Sequence, residues 1–186
     1  GEKDNLSVNQ FPKQNGWETN HNNRSVRFLE LFPQEKKVDF GLFKKIKFDR
    51  QLPAKLQYPY GIDSILMMTA KEYPQYDTLL NNLNAWDKSG DPSSKGAAVF
   101  LLIYENVSAS MRGKDPQRLT KLQSEQVIQA VKLYMVKNFG TTDLRLGDIQ
   151  KLVRGDKEYP APGFPSGTLP IDFTVIFTLS AKNGLL

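Results

Sequence analysis

The chain has 186 residues, 39% of them hydrophobic, and a mean hydropathy of −0.47, which gives enough apolar material for one good core in a soluble, somewhat polar protein. It contains no cysteine, which excludes a disulfide framework, a thiolate metal site and a thiol nucleophile but leaves the compartment open. A net charge of +5 raises a nucleic-acid reading, which then requires Lys and Arg clustered on one face with interleaved aromatics.

Residues 1–21 show no period and are rich in polar residues, so an irregular segment is expected there, anchored by Phe11 and Trp17. Asn22 or Asn23 caps a first helix that Pro33 stops. Asp39 caps a second, with Phe40, Phe43 and Ile46 at helical spacing, and Pro53 forbids its continuation. The densest basic tracts, Lys36-Lys37 and Lys44-Lys45-Ile46-Lys47, fall on or beside this helix. The expected reading is a solvated face whose aromatics are core, and no nucleic-acid partner is expected.

Residues 62–70 predict a short, largely buried helix. Pro74 starts the next, in which Leu79, Leu80, Leu83 and Trp86 form one apolar face. Ser93 or Ser94 caps a helix over residues 95–107, and its Gly96-Ala97-Ala98 start allows a neighbouring backbone to approach closely. Its apolar run over residues 97–104, like that at 65–68, is too short to span a bilayer. Residues 111–123 read as charged and turn-like. Ser124 is expected to cap the longest helix, residues 125–139, which Gly140 ends as a left-handed cap.

Residues 146–155 are expected to hold one helical turn or a short strand, and residues 159–170, with four prolines and two glycines, a loop. Residues 171–180 alternate apolar and polar almost strictly and predict a half-buried strand. The fold class is therefore α+β and predominantly helical: an irregular segment at 1–21, a helical region at 22–140, and a loop and strand region at 141–186, read as one compact unit.

No catalytic set assembles from the residue types. His21 is the only histidine and stands in a loop, so histidine or cysteine metal clusters are unavailable. Neither Gly140 nor Gly155 is followed by the Gly-Lys-Ser/Thr of a phosphate loop. Asp87, Asp91 and Asp115 fit no calcium loop, and capping or solvation accounts for each. Arg154-Gly155-Asp156 spells an adhesion tripeptide, but a turn between two elements explains it.

Several stretches, in order, carry more. They are Asn22-Asn23-Arg24-Ser25-Val26-Arg27-Phe28-Leu29-Glu30-Leu31, Phe48-Asp49, Leu83-Asn84-Ala85-Trp86-Asp87 and Ser94-Lys95-Gly96-Ala97-Ala98-Val99-Phe100. Two more follow: Gly147-Asp148-Ile149-Gln150-Lys151-Leu152-Val153-Arg154-Gly155-Asp156 and Pro160-Ala161-Pro162-Gly163-Phe164-Pro165. Together they resemble the penicillin acylase family, amide hydrolases of the N-terminal-nucleophile class, over most of residues 20–170. Two departures are Leu146, where a tryptophan is common, and Pro162 before a single glycine where two are usual.

The resemblance implies an internal fragment of the large subunit of an αββα hydrolase, inactive by itself. The parent would hydrolyse a linear amide such as a β-lactam side chain or an acyl-homoserine lactone. In that family a self-cleaved chain begins with a serine whose own α-amino group serves as general base, and an asparagine helps form the oxyanion hole. Gly1 is no such serine, and neither Asn5 nor Asn9 has the context of that asparagine, so both groups are expected outside these residues.

The position that carries over is Arg24, with a supporting electrostatic role at the catalytic asparagine and amino terminus. The implied partners are the small subunit, the rest of the large subunit and a small-molecule amide. Calcium is implied for the intact parent, as is a periplasmic or exported location. Apolar surface is expected to be exposed in this chain alone or covered by oligomerisation. The other reading of the same residues is a non-catalytic helical binding module.

Overall fold

The computed structural model describes residues 23–32, 37–56, 61–111 and 118–164. Its centre is a helix whose first two and a half turns have no polar face. Residues 96–104 are all buried, and Phe100, Ile103 and Val107 are at most 1% exposed. A helix apolar all round must be surrounded. This one, α5 (Lys95–Met111), packs against α4 (Asp77–Asn84), α6 (Lys121–Phe139) and α7 (Leu146–Ile149). Each large side chain fully buried here contributes roughly 1.5–3 kcal/mol of transfer free energy, so α5 is the main stabilising element.

The surrounding helices are amphipathic. On α4, Leu79, Leu80 and Leu83 face the core, after a 3-10 turn at Pro74–Tyr76. On α6 the inward residues are Val127, Ile128, Val131 and Met135. Ile65 of the short α3 (Asp63–Leu66) is fully buried, and α3 packs on α6. Gly140, at φ +73, ends α6 in the left-handed conformation and its N–H donates to the Val136 carbonyl.

The N-terminus of α6 differs from the expectation. Thr120 is the cap, its hydroxyl accepting from the Gln123 N–H at 3.2 Å while the Gln123 amide oxygen accepts from the Thr120 N–H at 2.9 Å. This reciprocal box starts the helix at Lys121 and places Ser124 inside it. Ser124 is 2% exposed; its hydroxyl donates to the Thr120 carbonyl and lies 2.8 Å from the Ser64 hydroxyl. Thr120→Ala is accordingly expected to cost about 1 kcal/mol in urea denaturation, and Ser124→Ala should leave the helix start unchanged by hydrogen exchange.

A small antiparallel hairpin closes the described residues: β1 (Lys151–Arg154) pairs with β2 (Lys157–Pro160), Arg154 opposite Lys157. Gly155 and Asp156 form its two-residue turn, with Gly155 at φ +60 as a tight hairpin requires. Residues 146–155 thus hold both a helical turn and a strand. The loop expected from residue 159 is corrected, because Tyr159 and Pro160 belong to β2. The protein is mostly helical with this one small sheet among the described residues. The expectations for residues 1–21 and 171–180 lie outside them.

Two helices stand at the edge of the body, α1 (Asn23–Leu31) and α2 (Phe40–Lys47). The Asp39 carboxylate caps α2 by accepting from the Leu42 N–H at 2.7 Å. No residue of α2 is buried. Phe40, Phe43 and Phe48 are 70%, 50% and 63% exposed, which corrects the expectation that these aromatics are core. Periodicity shows that residues share a face; it does not show that anything covers the face.

Candidate functional site

Four of the six stretches singled out from sequence, those beginning at Leu83, Ser94, Gly147 and Pro160, have residues that come together around the loop between α4 and α5. Trp86 closes α4, and its indole N–H donates to the Ser89 carbonyl at 2.9 Å. The indole stacks on Phe100 of α5 with centroids 4.5 Å apart, and Phe164 meets both rings edge-on at 6.0 and 5.8 Å. Gly96 makes this possible, since a Cβ there would lie 2.2 Å from Trp86 Cβ and 2.7 Å from the Asn82 carbonyl. The close approach expected at this glycine is therefore made by the end of α4.

Backbone hydrogen bonds then tie four segments together. The Gly90 N–H donates to the Arg50 carbonyl at 2.7 Å, and the Gly163 N–H donates to the Gly90 carbonyl at 2.8 Å. The N–H groups of Gly147 and Leu146 donate to the carbonyls of Pro92 and Ser94. Gln150 clamps the last segment. Its amide nitrogen donates to the Ala161 and Gly163 carbonyls at 3.1 and 2.9 Å. Gln150→Leu leaves two part-buried carbonyls without that donor, and about 1–3 kcal/mol of stability should be lost in urea denaturation.

The acids of this loop have structural work. Asp87 accepts from the Ser89 N–H at 2.9 Å. Asp91 accepts from the Ser93 N–H and hydroxyl and pairs with Arg50 at 2.7 Å. The Ser93 N–H, against the opposing effect of burial and with help from the Ser93 hydroxyl and Arg50, holds the Asp91 carboxyl below its ordinary value of 3.8. A depressed folded-state value means the stabilisation is present above about 3.8 and is lost as pH falls through the folded value. The advantage of the wild type over Asp91→Asn in urea should therefore shrink as pH is lowered from 5 toward about 2.

Arg24 is the second residue of α1, and its side chain lies outside what the structure describes. The arginine whose geometry is defined is Arg27. Its Nε and Nη2 donate to the two Asp49 carboxylate oxygens at 2.8 and 3.0 Å, and Nη1 donates to Glu30 at 3.1 Å. The Asp49 hydrogen bond raises the guanidinium pKa. Glu30 in turn accepts from the Ala54 N–H at 2.9 Å. The chain fastens α1 to the end of α2 and to the segment that follows. Arg27 and Asp49 both lie in stretches singled out from sequence, but 22 positions separate them and no local spacing marks them as a pair.

Among the described residues, no group of three or more His, Asp or Glu side chains is placed to hold a metal ion. His21, Asn5, Asn9 and Asp115 lie outside the described residues. No helix of the described residues is long and apolar enough to cross a membrane. Comparison of the chain with protein-family models, with curated proteins and with solved structures finds no match.

Proposed function

We propose that this chain is part of the large subunit of a penicillin-acylase-like amide hydrolase and supplies structural framework to it. The observation that supports this reading is the convergence of the resembling stretches. Trp86, Gly96, Phe100 and Phe164, from three of those stretches, build one node, and Gly147 and Gln150 of a fourth tie to it through the Pro92, Ala161 and Gly163 carbonyls. A set of residues that folds into one node gives a physical reason for those types to occur together. In the reading proposed, the reacting serine and the oxyanion donors come from other parts of the polypeptide. The serine hydroxyl adds to the amide carbonyl, the amine leaves with a proton, and water then releases the acid from the acyl-enzyme. Arg24 supports the nucleophile's amino terminus electrostatically.

The test is the intact mass and N-terminal sequence of every chain produced from the full-length gene. Two chains, the larger beginning with serine and containing these residues, would support the reading. Arg24→Ala in that parent should then lower kcat for amide hydrolysis. A single uncut chain that hydrolyses no amide would sink it.

A second reading, a helical binding module, has one observation in its favour. A groove of about 380 Å³ opens between α3 and the start of α6, lined by Met67, Met68, Tyr73 and the Ser64–Ser124 pair, with Arg118 and Lys121 beside them. Its volume is within the range of small-ligand sites. An uncut chain would move this reading ahead.

A further inference from the structure

The exposed face of α2 combines two kinds of side chain. Phe40, Phe43 and Phe48 present their rings to solvent, and Lys44, Lys45 and Lys47 are exposed among them. The Lys44 ammonium lies 4.6 Å from the Phe40 ring centre, and that of Lys47 lies 5.9 and 5.7 Å from Phe43 and Phe48. The ammonium groups of Lys44 and Lys47 therefore sit over the exposed rings, so cation and aromatic share one patch. Leu42 and Ile46 point to the other side and are only partly exposed. Nearby acids are already engaged, Asp39 by the helix cap and Asp49 by Arg27. Phe28 of α1 and Phe32, just after it, stack on one another at 5.2 Å and are 43% and 38% exposed.

We propose that the α2 face docks onto an anionic phospholipid surface, the phenylalanines entering the headgroup boundary and the lysines meeting lipid phosphates. The composition favours lipid over protein. Buried centres of protein interfaces are depleted in lysine and use arginine, whereas this face interleaves every phenylalanine with lysine and has no arginine. Lysines flanking aromatics on a short amphipathic helix are the pattern of interfacial membrane binding. An eight-residue helix is about 12 Å long, so it lies on the surface and does not span. The inference stands apart from the acylase reading and survives its failure.

The test is co-sedimentation with vesicles of phosphatidylcholine alone or with about a third phosphatidylglycerol, for both the 186-residue chain and its full-length parent. Both should bind the anionic vesicles and release them as salt is raised. Replacing Lys44, Lys45 and Lys47 with Gln should weaken partitioning by about fivefold per lysine. The charge-matched control, Lys71→Gln with Lys137→Gln and Lys157→Gln, should change it little. Phe40→Ser with Phe43→Ser should weaken it by roughly tenfold or more. Because every substituted side chain is exposed, these variants should keep the wild-type far-UV circular dichroism.

Equal binding to neutral and anionic vesicles would overturn the proposal, as would equal losses in the test and control lysine sets. Protection of Lys44 and Lys47 from acylating reagents in the lipid-free parent would assign the face to other parts of that polypeptide. Concentration-dependent dimers broken by the phenylalanine variants, without vesicle binding, would assign it to a second copy.

Discussion

Gly96→Ala is expected to destabilise the protein by about 3 kcal/mol, although alanine is the better helix former. Two effects oppose each other. A helix interior gains up to about 1 kcal/mol when glycine becomes alanine, and less in the first turn, where Gly96 stands. Against this, the new Cβ would lie 2.2 Å from Trp86 Cβ, 2.6 Å from Trp86 Cγ and 2.7 Å from the Asn82 carbonyl oxygen. Two of those atoms belong to backbone or to the first side-chain carbon, so no rotamer change relieves the contact. The end of α4 must move away from α5, and Phe100 and Phe164 lose the indole they pack on. A fall in Tm of roughly 6–12 °C should accompany the change in a chain of this size.

The same geometry predicts that trimming the tryptophan gives no rescue. Trp86→Ala keeps the offending Cβ, so the double variant with Gly96→Ala should be less stable than either single variant. A neutral Gly96→Ala in thermal and urea unfolding would mean that α4 does not approach α5 here.

The parts of this fold that were legible in sequence share a property: one residue, or one short spacing, decides them. A serine cap before an apolar run too short for a bilayer marks the helix over residues 95–107, and the structure has α5 there (Lys95–Met111). The small residues Gly96-Ala97-Ala98 announce a close approach, and the structure supplies its partner, Trp86 at the end of α4. What was not legible depends on choices between near-equivalent residues. Thr120 and Ser124 are both good caps, and only the reciprocal bond between Thr120 and Gln123 decides between them. Tyr159 and Pro160 read as loop because proline punctuates the stretch, but Pro160 ends an edge strand whose partner is supplied by β1.

The site divides in the same way. Trp86, Gly96, Phe100 and Phe164 were marked by the order of their stretches, and the structure gathers them. The Gln150 clamp and the Arg27–Asp49 pair were not foreseen, because a polar side chain's partner across many positions leaves no periodic trace. The exposed phenylalanines of α2 were misjudged for a related reason. Hydrophobic spacing predicts an amphipathic helix, and whether its apolar side meets a core, a lipid surface or water is decided elsewhere in the molecule.

Phe100→Ala is expected to have the largest effect of any single truncation, a loss of about 3–5 kcal/mol. The ring is 1% exposed and is bounded by Trp86 at 4.5 Å, Phe164 at 5.8 Å and Tyr104 at 6.2 Å between centroids. Deleting it leaves a cavity walled by rigid rings, which collapse poorly. Phe100→Leu fills part of the space and should recover roughly half of the loss. The aromatic geometry itself is separable from volume. A double-mutant cycle of Phe100→Ala with Phe164→Ala should give a coupling of about 0.5–1.5 kcal/mol. A coupling of zero would mean that the Phe100–Phe164 contact adds nothing beyond buried area, leaving the segment to its packing on Trp86 and its hydrogen bonds to Gln150 and Gly90. Trp86 reports the outcome directly: in a Trp17→Phe background its emission should shift to the red in Phe100→Ala, as water reaches the face that the ring covered.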